Sequence, residues 1–323
     1  MHHSAEASLV KYPRPTYNRE MTSNAPHRSS RHLFLIGLAI AVCGAILFSA
    51  KAIVAKLIYR YQVDAETLIA FRMLFAFPFF FGVACWQAKG AVPLSSSERR
   101  QIVLLGLIGY YLSSYLDFLG LRYISAGLER LILFLTPSFV LLMSMAFLKK
   151  KIAGLEWLAL GTAYLGTVLV FIHDARNGGA NVVLGGALVL GSATSYALYL
   201  LLSGELVRRV GALRLTAYVM CISSVACVAQ FFVMRPVTML VQPAAVYGLS
   251  MFNAVFCTVL PVFLTMIAIS RIGASTTAQA GMIGPVSTLF MGAAILDEPI
   301  TGIQLAGTAL VIFGIYLLSM KKA

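Results

Sequence analysis

Five ionisable side chains lie inside long apolar stretches of this chain of 323 residues. They are Lys51, Arg72, Asp117, Glu129 and Arg130. A charged side chain in hydrocarbon costs about 2.5–3.5 kcal/mol on insertion scales, so each of these residues needs a partner or a function. Basic side chains can hold a carboxylate or phosphate, and a buried carboxylate can exchange a proton between wet and occluded states.

Two interpretations of these five residues stay open at the level of sequence. In the first, the charges pair with one another and hold the first four membrane helices together. In the second, they line a polar cavity and act as substrate-binding or coupling residues. Three cations and two carboxylates leave one cation without a partner, which favours a substrate with an anionic group. Alternatively, Glu129 or Asp117 titrates and couples transport to protons.

Two uncharged polar residues, Asn253 and Gln279, lie in apolar stretches of the second half and complete the set of candidate binding residues. Each could face the same cavity from the opposite half of the protein. Each could equally hydrogen-bond a neighbouring helix, which is a common role for polar side chains in membranes.

The elements that position these residues must be membrane helices. The chain is 59% hydrophobic and 11% charged, with a mean hydropathy of +0.86, whereas roughly a quarter of the residues of a soluble domain are charged. A helix that crosses a bilayer needs about 20 mostly apolar residues. Ten segments meet this requirement: 33–58, 65–87, 99–121, 124–147, 153–173, 183–206, 214–234, 244–269, 273–296 and 299–320. The predicted fold class is therefore an all-α integral membrane protein with ten transmembrane helices.

The orientation follows from the Lys and Arg residues outside these segments. Most of them fall on one side if the N-terminus lies in the cytoplasm, which the positive-inside rule favours. Ten spans then place both termini in the cytoplasm. Each half has five spans, an odd number, so the two halves must have inverted orientations.

An internal repeat supports this division into halves. Residues 122–171 align without a gap on residues 270–319, at a fixed offset of 148. The identical pairs include residues that fix the backbone: Pro137 with Pro285, Gly154 with Gly302 and Gly166 with Gly314. Pro137 and Pro285 lie near the middle of spans 4 and 9, where each removes a backbone donor, so we expect a helix kink at both.

Three regions follow from these patterns. Residues 1–31 are polar and rich in Pro and basic residues, which predicts a disordered cytoplasmic tail. Residues 33–173 form the first five-helix repeat and residues 183–320 the second. Met21 is an alternative start within the tail.

The repeats resemble the EamA repeat of the drug/metabolite transporter superfamily. In the second half the resemblance lies in Ile272-Gly273-Ala274, Gly284-Pro285, Leu296-Asp297-Glu298, Gly302, Gly307 and Gly314. The first half is a looser copy, with Tyr123-Ile124-Ser125-Ala126, Leu135-Thr136-Pro137, Gly154 and Gly166. The resemblance implies a ten-helix carrier. One departure is Lys150, which stands where the repeat usually ends its fourth span with an acidic residue.

The sequence shows no catalytic motif. It contains no phosphate-binding loop, no H-E-x-x-H and no G-x-S-x-G, and its five cysteines have no metal-ligand spacing. We therefore predict no enzyme activity, no catalytic residue, no cofactor and no bound metal. The net charge of +13 is assigned to cytoplasmic loops rather than to nucleic-acid binding.

The resulting functional hypothesis is a secondary transporter of a small organic metabolite in the bacterial inner membrane. The resemblance weights the substrate toward amino acids or related compounds and the direction toward export. Import or exchange of a polar anionic metabolite is the alternative, and a non-transporting membrane scaffold or sensor is the alternative from another class. The expected partners are the substrate and the lipid bilayer, while proton coupling and a homodimer stay open.

Overall fold

A computed structural model describes residues 27–149, 154–178 and 180–320 of the protein. Helices and the turns between them make up this described part of the chain, and it contains no strand. The α-helices are α1 His27–Tyr59, α2 Ala65–Ala88, α3 Ser96–Gly106, α4 Ser113–Leu121, α5 Ala126–Leu133, α6 Thr136–Leu148, α7 Gly154–Gly178, α8 Ala180–Val210, α9 Ala212–Met234, α10 Ala244–Ala254, α11 Leu260–Ala280, α12 Ile283–Leu296 and α13 Gly302–Met320. Two π-helical segments, Leu107–Leu112 and Val255–Val259, join α3 to α4 and α10 to α11.

The all-helical membrane fold is confirmed. In the described part of the chain, eight helical segments are long and apolar enough to cross a membrane, and two shorter apolar helices, Ile283–Leu296 and Gly302–Leu317, complete a set of ten. The shorter length of α12 has a local cause. The predicted ninth span is interrupted at Gly281–Met282, and its first part is continuous with α11. Helix α11 runs through residues 270–272, where the sequence predicted a loop, and its kink at Gly273, with φ of 79°, lies at the first residue of the predicted ninth span.

The helix breaks repeat between the two halves. A turn at Phe134–Leu135 separates α5 from α6, and the turn at Gly281–Met282 separates α11 from α12. Each break lies just upstream of a proline, because the ring of Pro137 or Pro285 clashes with the carbonyl four residues earlier. The helices that follow also end alike.

Both of those helix ends carry a residue in the left-handed conformation. Lys149 caps α6 with φ of 52°, and Asp297 caps α12 with φ of 60°. The two positions differ by the repeat offset of 148. The repeat is therefore one of backbone geometry, including conformations that only a minority of non-glycine residues adopt.

The two halves are inverted, and the packing of α7 on α13 demonstrates this. A Cβ added at Gly166 would lie 2.5 Å from the Gly307 carbonyl oxygen, and one added at Gly314 would lie 2.7 Å from that of Ala159. The offset of 148 relates Gly166 to Gly314 and Ala159 to Gly307, so the two contacts are equivalent. Position numbers rise along one helix as they fall along the other, so the corresponding helices run antiparallel. A two-fold axis across these helices therefore relates the repeats.

Other first-repeat helices also pack on the second repeat. Helix α2 lies against α9, α1 against α11 and α12, and α4 against α8. The largest hydrophobic cluster contains residues from both repeats, among them Ile53, Phe118 and Cys257. The five charged residues of the first repeat are thus enclosed by helices of both halves.

One predicted boundary needs correction. Helix α1 begins at His27, whereas the sequence predicted a disordered tail to residue 31. The apolar stretch that follows extends helically into the polar segment before it, because helix propagation adds a hydrogen bond for each residue fixed. The rest of the predicted tail, residues 1–26, lies outside the described residues.

Candidate functional site

Lys51 is the centre of a buried ion cluster. Its Nζ donates to Oδ2 of Asp117 and lies 3.3 Å from Oε1 of Glu129. Lys51 and Asp117 are at most 5% exposed, and Glu129 is fully buried. One ammonium group therefore serves two carboxylates in a region without solvent contact.

Local structure places each member of this cluster. Lys51 lies in α1, eight residues before its end, and Asp117 lies in α4, directly after a π-helical segment. A π-helical turn inserts an extra residue and rotates the side chains that follow it, and such turns occur frequently at functional sites. Glu129 lies in the first turn of α5, where the helix dipole favours an acid.

Two phenylalanine rings surround the Lys51 ammonium group. Nζ lies 5.5 Å from the ring centroid of Phe48 and 5.4 Å from that of Phe118. Phe48 is one helical turn before Lys51, and Phe118 follows Asp117 in sequence. Cations at this distance are attracted by the negative face of an aromatic ring. Sequence reasoning missed both rings, although their spacing from charged residues was a usable signal.

The same rings also contact the two arginines. The Cζ of Arg72 lies 5.0 Å from the Phe118 centroid, and that of Arg130 lies 4.9 Å from the Phe48 centroid. Both arginines are 5% exposed. The structure therefore brings all five predicted charges together, with each ring shared between Lys51 and one arginine.

Neither arginine has an ion-pair partner in the part of the chain that the structure describes. Among the described side chains, no carboxylate oxygen lies within 4.0 Å of the guanidinium of Arg72 or of Arg130. Arg72 Nε donates to Thr258 Oγ1 at 2.8 Å, and Thr258 in turn donates to the Asn253 carbonyl at 3.0 Å. The pairing is thus uneven, since Lys51 takes both carboxylates and two cations are left over.

Several polar atoms of the cluster are buried and have no hydrogen-bond partner among the described residues. These are Nη1 of Arg72, Oδ1 of Asp117, both carboxylate oxygens of Glu129, Nε of Arg130 and both side-chain amide atoms of Asn253. Buried polar atoms are nearly always hydrogen-bonded in native proteins. A group of orphaned atoms around one cluster is therefore the pattern that a polar ligand or water would complete.

Arg130 reaches across to the second repeat at Gly284. A Cβ added to Gly284 would lie 2.8 Å from Nη2 of Arg130, so the absence of a side chain makes room for the guanidinium. The Gly284 carbonyl also accepts a hydrogen bond from Ser49 Oγ at 3.2 Å. Gly284 immediately precedes Pro285, so the helix break in the second repeat borders the charged cluster of the first. This role of Gly284 and Ser49 was not predicted.

The two polar candidates of the second repeat differ in what the structure describes. Asn253 is fully buried at the end of α10, where the second π-helical segment begins. Its backbone carbonyl joins the cluster through Thr258 and Arg72. The side chain of Gln279 lies outside the described part of the structure.

Similarity to known proteins agrees with the fold. The sequence model of the EamA-like transporter family matches residues 35–172 and again residues 183–320. The uncharacterized transporter YcbK of Bacillus subtilis (strain 168) is 30% identical over 295 residues, which cover 88% of this chain and 93% of YcbK. An uncharacterized transporter of Archaeoglobus fulgidus is 27% identical over 225 residues, or 70% of this chain and 79% of its own. One crystal structure with 12% identity covers 92% of this chain and 99% of its own at a TM-score of 0.61, which shows a shared fold.

Proposed function

Because this chain belongs to the EamA-like transporter family, we propose that it moves a small organic metabolite across the bacterial inner membrane by alternating access. Family membership supports transport in general, and the substrate and the mechanism are our proposal. In carriers built from inverted repeats, the two halves rock around a site near the middle of the membrane. The proposed orientation has both termini in the cytoplasm, as the distribution of Lys and Arg favours.

The observation that carries the substrate proposal is the uneven pairing in the buried cluster. Arg72 and Arg130 have unfilled donors, whereas Glu129 has two unfilled acceptor oxygens. An amino acid presents the complementary pair, because its carboxylate accepts hydrogen bonds from a guanidinium and its ammonium group donates to a carboxylate. We therefore assign the amino-acid head group to this cluster, and export of amino acids or related compounds as the function.

One observation favours the alternative, a polar anionic metabolite. The cluster contains three cations and two carboxylates, so a zwitterion leaves its net charge unchanged and a monoanion neutralises it. Buried charges are stable only when they are paired. Import or exchange of such an anion is the second candidate function.

Proton coupling is proposed at Glu129. It is the fully buried carboxylate of the cluster, and its oxygens accept no hydrogen bond from the described residues. We expect Glu129→Gln, which keeps one acceptor oxygen for the substrate ammonium group but loses the titrating proton, to abolish transport driven by a pH gradient in proteoliposomes while substrate exchange without a gradient continues at higher substrate concentration. Equal loss of both activities would contradict a coupling role.

The experiment that tests the substrate proposal is a thermal-shift screen of the purified protein. Amino acids, nucleosides, sugar phosphates and dicarboxylates are compared at equal concentration. We expect amino acids to stabilise the parent protein, Arg72→Gln and Arg130→Gln to abolish this effect, and Arg122→Gln to retain it. Arg122 is a suitable control because it is an exposed arginine at the end of α4.

The outcomes separate the two candidate functions. Stabilisation by sugar phosphates or dicarboxylates but by no amino acid would favour the anion. Ligand effects that survive both Arg72→Gln and Arg130→Gln would remove the cluster as the binding site. Transport of the stabilising compound is then measured by counterflow in proteoliposomes.

A further inference from the structure

Glu298 joins the two repeats at one end of the helix bundle. It follows Asp297 directly after α12, in the second repeat. Its carboxylate oxygens each accept a hydrogen bond from the backbone N–H of Ala126 at 3.2 Å. Its Oε1 also lies 3.4 Å from Nζ of Lys56. Ala126 begins α5 and Lys56 lies near the end of α1, so both partners belong to the first repeat.

The contact at Ala126 is a favourable one for a carboxylate. The first N–H groups of a helix have no partner within the helix, and the helix dipole attracts negative charge to that end. Ser125 accepts from the N–H of Leu128, and Glu298 supplies the acceptor for the N–H of Ala126. The free N–H groups at the N-terminus of α5 are therefore hydrogen-bonded by one residue of each repeat, Ser125 of the first and Glu298 of the second.

The local backbone is shaped for this contact. A Cβ added to Gly292 would lie 3.0 Å from Oε2 of Glu298, so a glycine makes room for the carboxylate. The N–H of Glu298 donates to the Gly292 carbonyl at 3.2 Å. At the equivalent position of the first repeat stands Ser144, which has a Cβ.

Other ties between the repeats lie at the same end. Arg60 Nη2 donates to the Leu296 carbonyl at 3.2 Å. Arg235 Nη2 donates to Glu66 Oε2 at 3.1 Å, and its Nε lies 3.5 Å from Asp64 Oδ1. The hydrogen bond to Glu66 raises the pKa of Arg235 above its usual value. In the proposed orientation, this end is the outer one.

We propose that Glu298 is the latch that keeps the outer mouth of the carrier closed, an inference that rests on the proposed alternating access. Opening this mouth separates α12 from α5 and α1, which removes the acceptor from Ala126 and the counter-ion from Lys56. The latch is therefore present in the outward-closed state and absent from the outward-open state. Such a difference between states is what shifts their populations.

The first repeat lacks an equivalent acid. The offset of 148 places Lys150 at the position of Glu298 and Ala274 at that of Ala126. A lysine beside a helix N-terminus is repelled by the dipole that attracts Glu298. Lys150 itself lies outside the described residues. By sequence position the first repeat therefore offers a cation where the second offers Glu298, and we expect the carrier to rest with its outer mouth closed.

The test measures access to the cluster from outside. Ser49→Cys is introduced into a full-length variant whose native cysteines are replaced by alanine, because Ser49 is buried beside Gly284. Right-side-out vesicles are treated with a membrane-impermeant maleimide. We expect Glu298→Gln, which keeps an acceptor oxygen but loses the charge that faces Lys56 and the start of α5, to raise the labelling rate about 10-fold, the size of effect that a partly buried charge at a helix N-terminus has on an equilibrium.

The adjacent acid provides a matched control. Asp297→Asn removes the same charge one residue away, and Asn tolerates the left-handed conformation of that position. Because Asp297 is exposed, we expect the labelling rate of Asp297→Asn to stay within about twofold of the parent rate, below the effect of losing the partly buried charge of Glu298. Should Glu298→Gln not fold, Glu298→Asp is used instead, because a side chain shorter by one methylene tests the same contacts with Ala126 and Lys56.

A second variant tests the difference between the two repeats at Lys150, the position equivalent to Glu298. Lys150→Glu supplies the missing acid at the inner mouth, so it is expected to raise outer labelling above that of Lys150→Gln. The latch is overturned if Glu298→Gln is labelled at the parent rate while counterflow shows that it still cycles. Absence of amino-acid transport in the parent, together with the expected labelling pattern, would instead overturn the substrate assignment and leave the latch intact.

Discussion

Removal of the Lys51 ammonium group is expected to destabilise the protein strongly. In Lys51→Met the side-chain volume is nearly kept, and Asp117 and Glu129 lose the one cation that lies between them. Breaking a buried ion pair from one side costs about 3–5 kcal/mol, because an uncompensated charge stays in a medium of low dielectric. At roughly 2 °C per kcal/mol for a chain of this size, the melting temperature should fall by about 6–10 °C.

The assay is the fraction of protein that remains monodisperse after heating in detergent. Lys56→Met is the matched control, since Lys56 also pairs with a glutamate but its side chain is 23% exposed. Exposed pairs are worth about 0.2–1 kcal/mol, so the control should lose at most about 2 °C. The double variant Lys51→Met, Glu129→Gln removes one cation and one carboxylate, which keeps the net charge of the five-residue cluster, and should recover part of the loss.

The reasoning is refuted by either of two results. A loss in Lys51→Met no larger than in Lys56→Met would mean that water solvates the cluster and compensates the carboxylates. A double variant as unstable as the single one would mean that packing of the Lys51 side chain, rather than its charge, is the stabilising term.

Two further predictions concern parts of the fold away from the cluster. Gly307→Ala should lower the melting temperature by about 2–6 °C through overpacking, because the new Cβ would lie 2.7 Å from the Gly166 carbonyl oxygen. Gly302→Ala is the control, since its new Cβ meets nothing within 4 Å and the melting temperature should not change. Equal melting temperatures of the two variants would contradict the close contact of α7 and α13. Burial raises the pKa of Asp64, but hydrogen bonds from Thr67 and Glu66 and the charge of Arg235 together outweigh it and hold that pKa below its usual value. Asp64 therefore stabilises the protein above about pH 4, and the benefit is lost as pH falls through the lowered pKa. Asp64→Asn, which retains a capping oxygen, should therefore show a flatter acid limb in melting temperature against pH, and superimposable curves would argue against this assignment.

Much of the fold was predictable from sequence because the membrane imposes a simple length rule. Apolar stretches of about 20 residues had to be helices, since lipid offers no partner for backbone polar groups. The predicted span 273–296 was the exception, because the structure interrupts it. Its break at Gly281–Met282 and the kink at Gly273 depend on the backbone conformation of particular residues, which hydropathy does not report.

The candidate site was only partly predictable. The five charges were identified because hydrocarbon makes each of them costly, and the structure brings them into one cluster. Their pairing was not predictable, since nothing in the sequence assigns both carboxylates to Lys51. The contribution of Gly284 was also hidden, because a glycine that makes room for a distant guanidinium has no local signature.

The sequence by itself determined the helices, the repeat and the residues that are expensive to bury, because each of these depends on composition, spacing or local backbone chemistry. Only the tertiary structure decided which charges pair, which polar atoms stay unfilled and that Glu298 reaches the N-terminus of α5. The physical reason lies in the solvent. A membrane helix is apolar toward lipid as well as toward its neighbours, so periodicity does not reveal its inner face, and contacts between distant residues are fixed by helix packing.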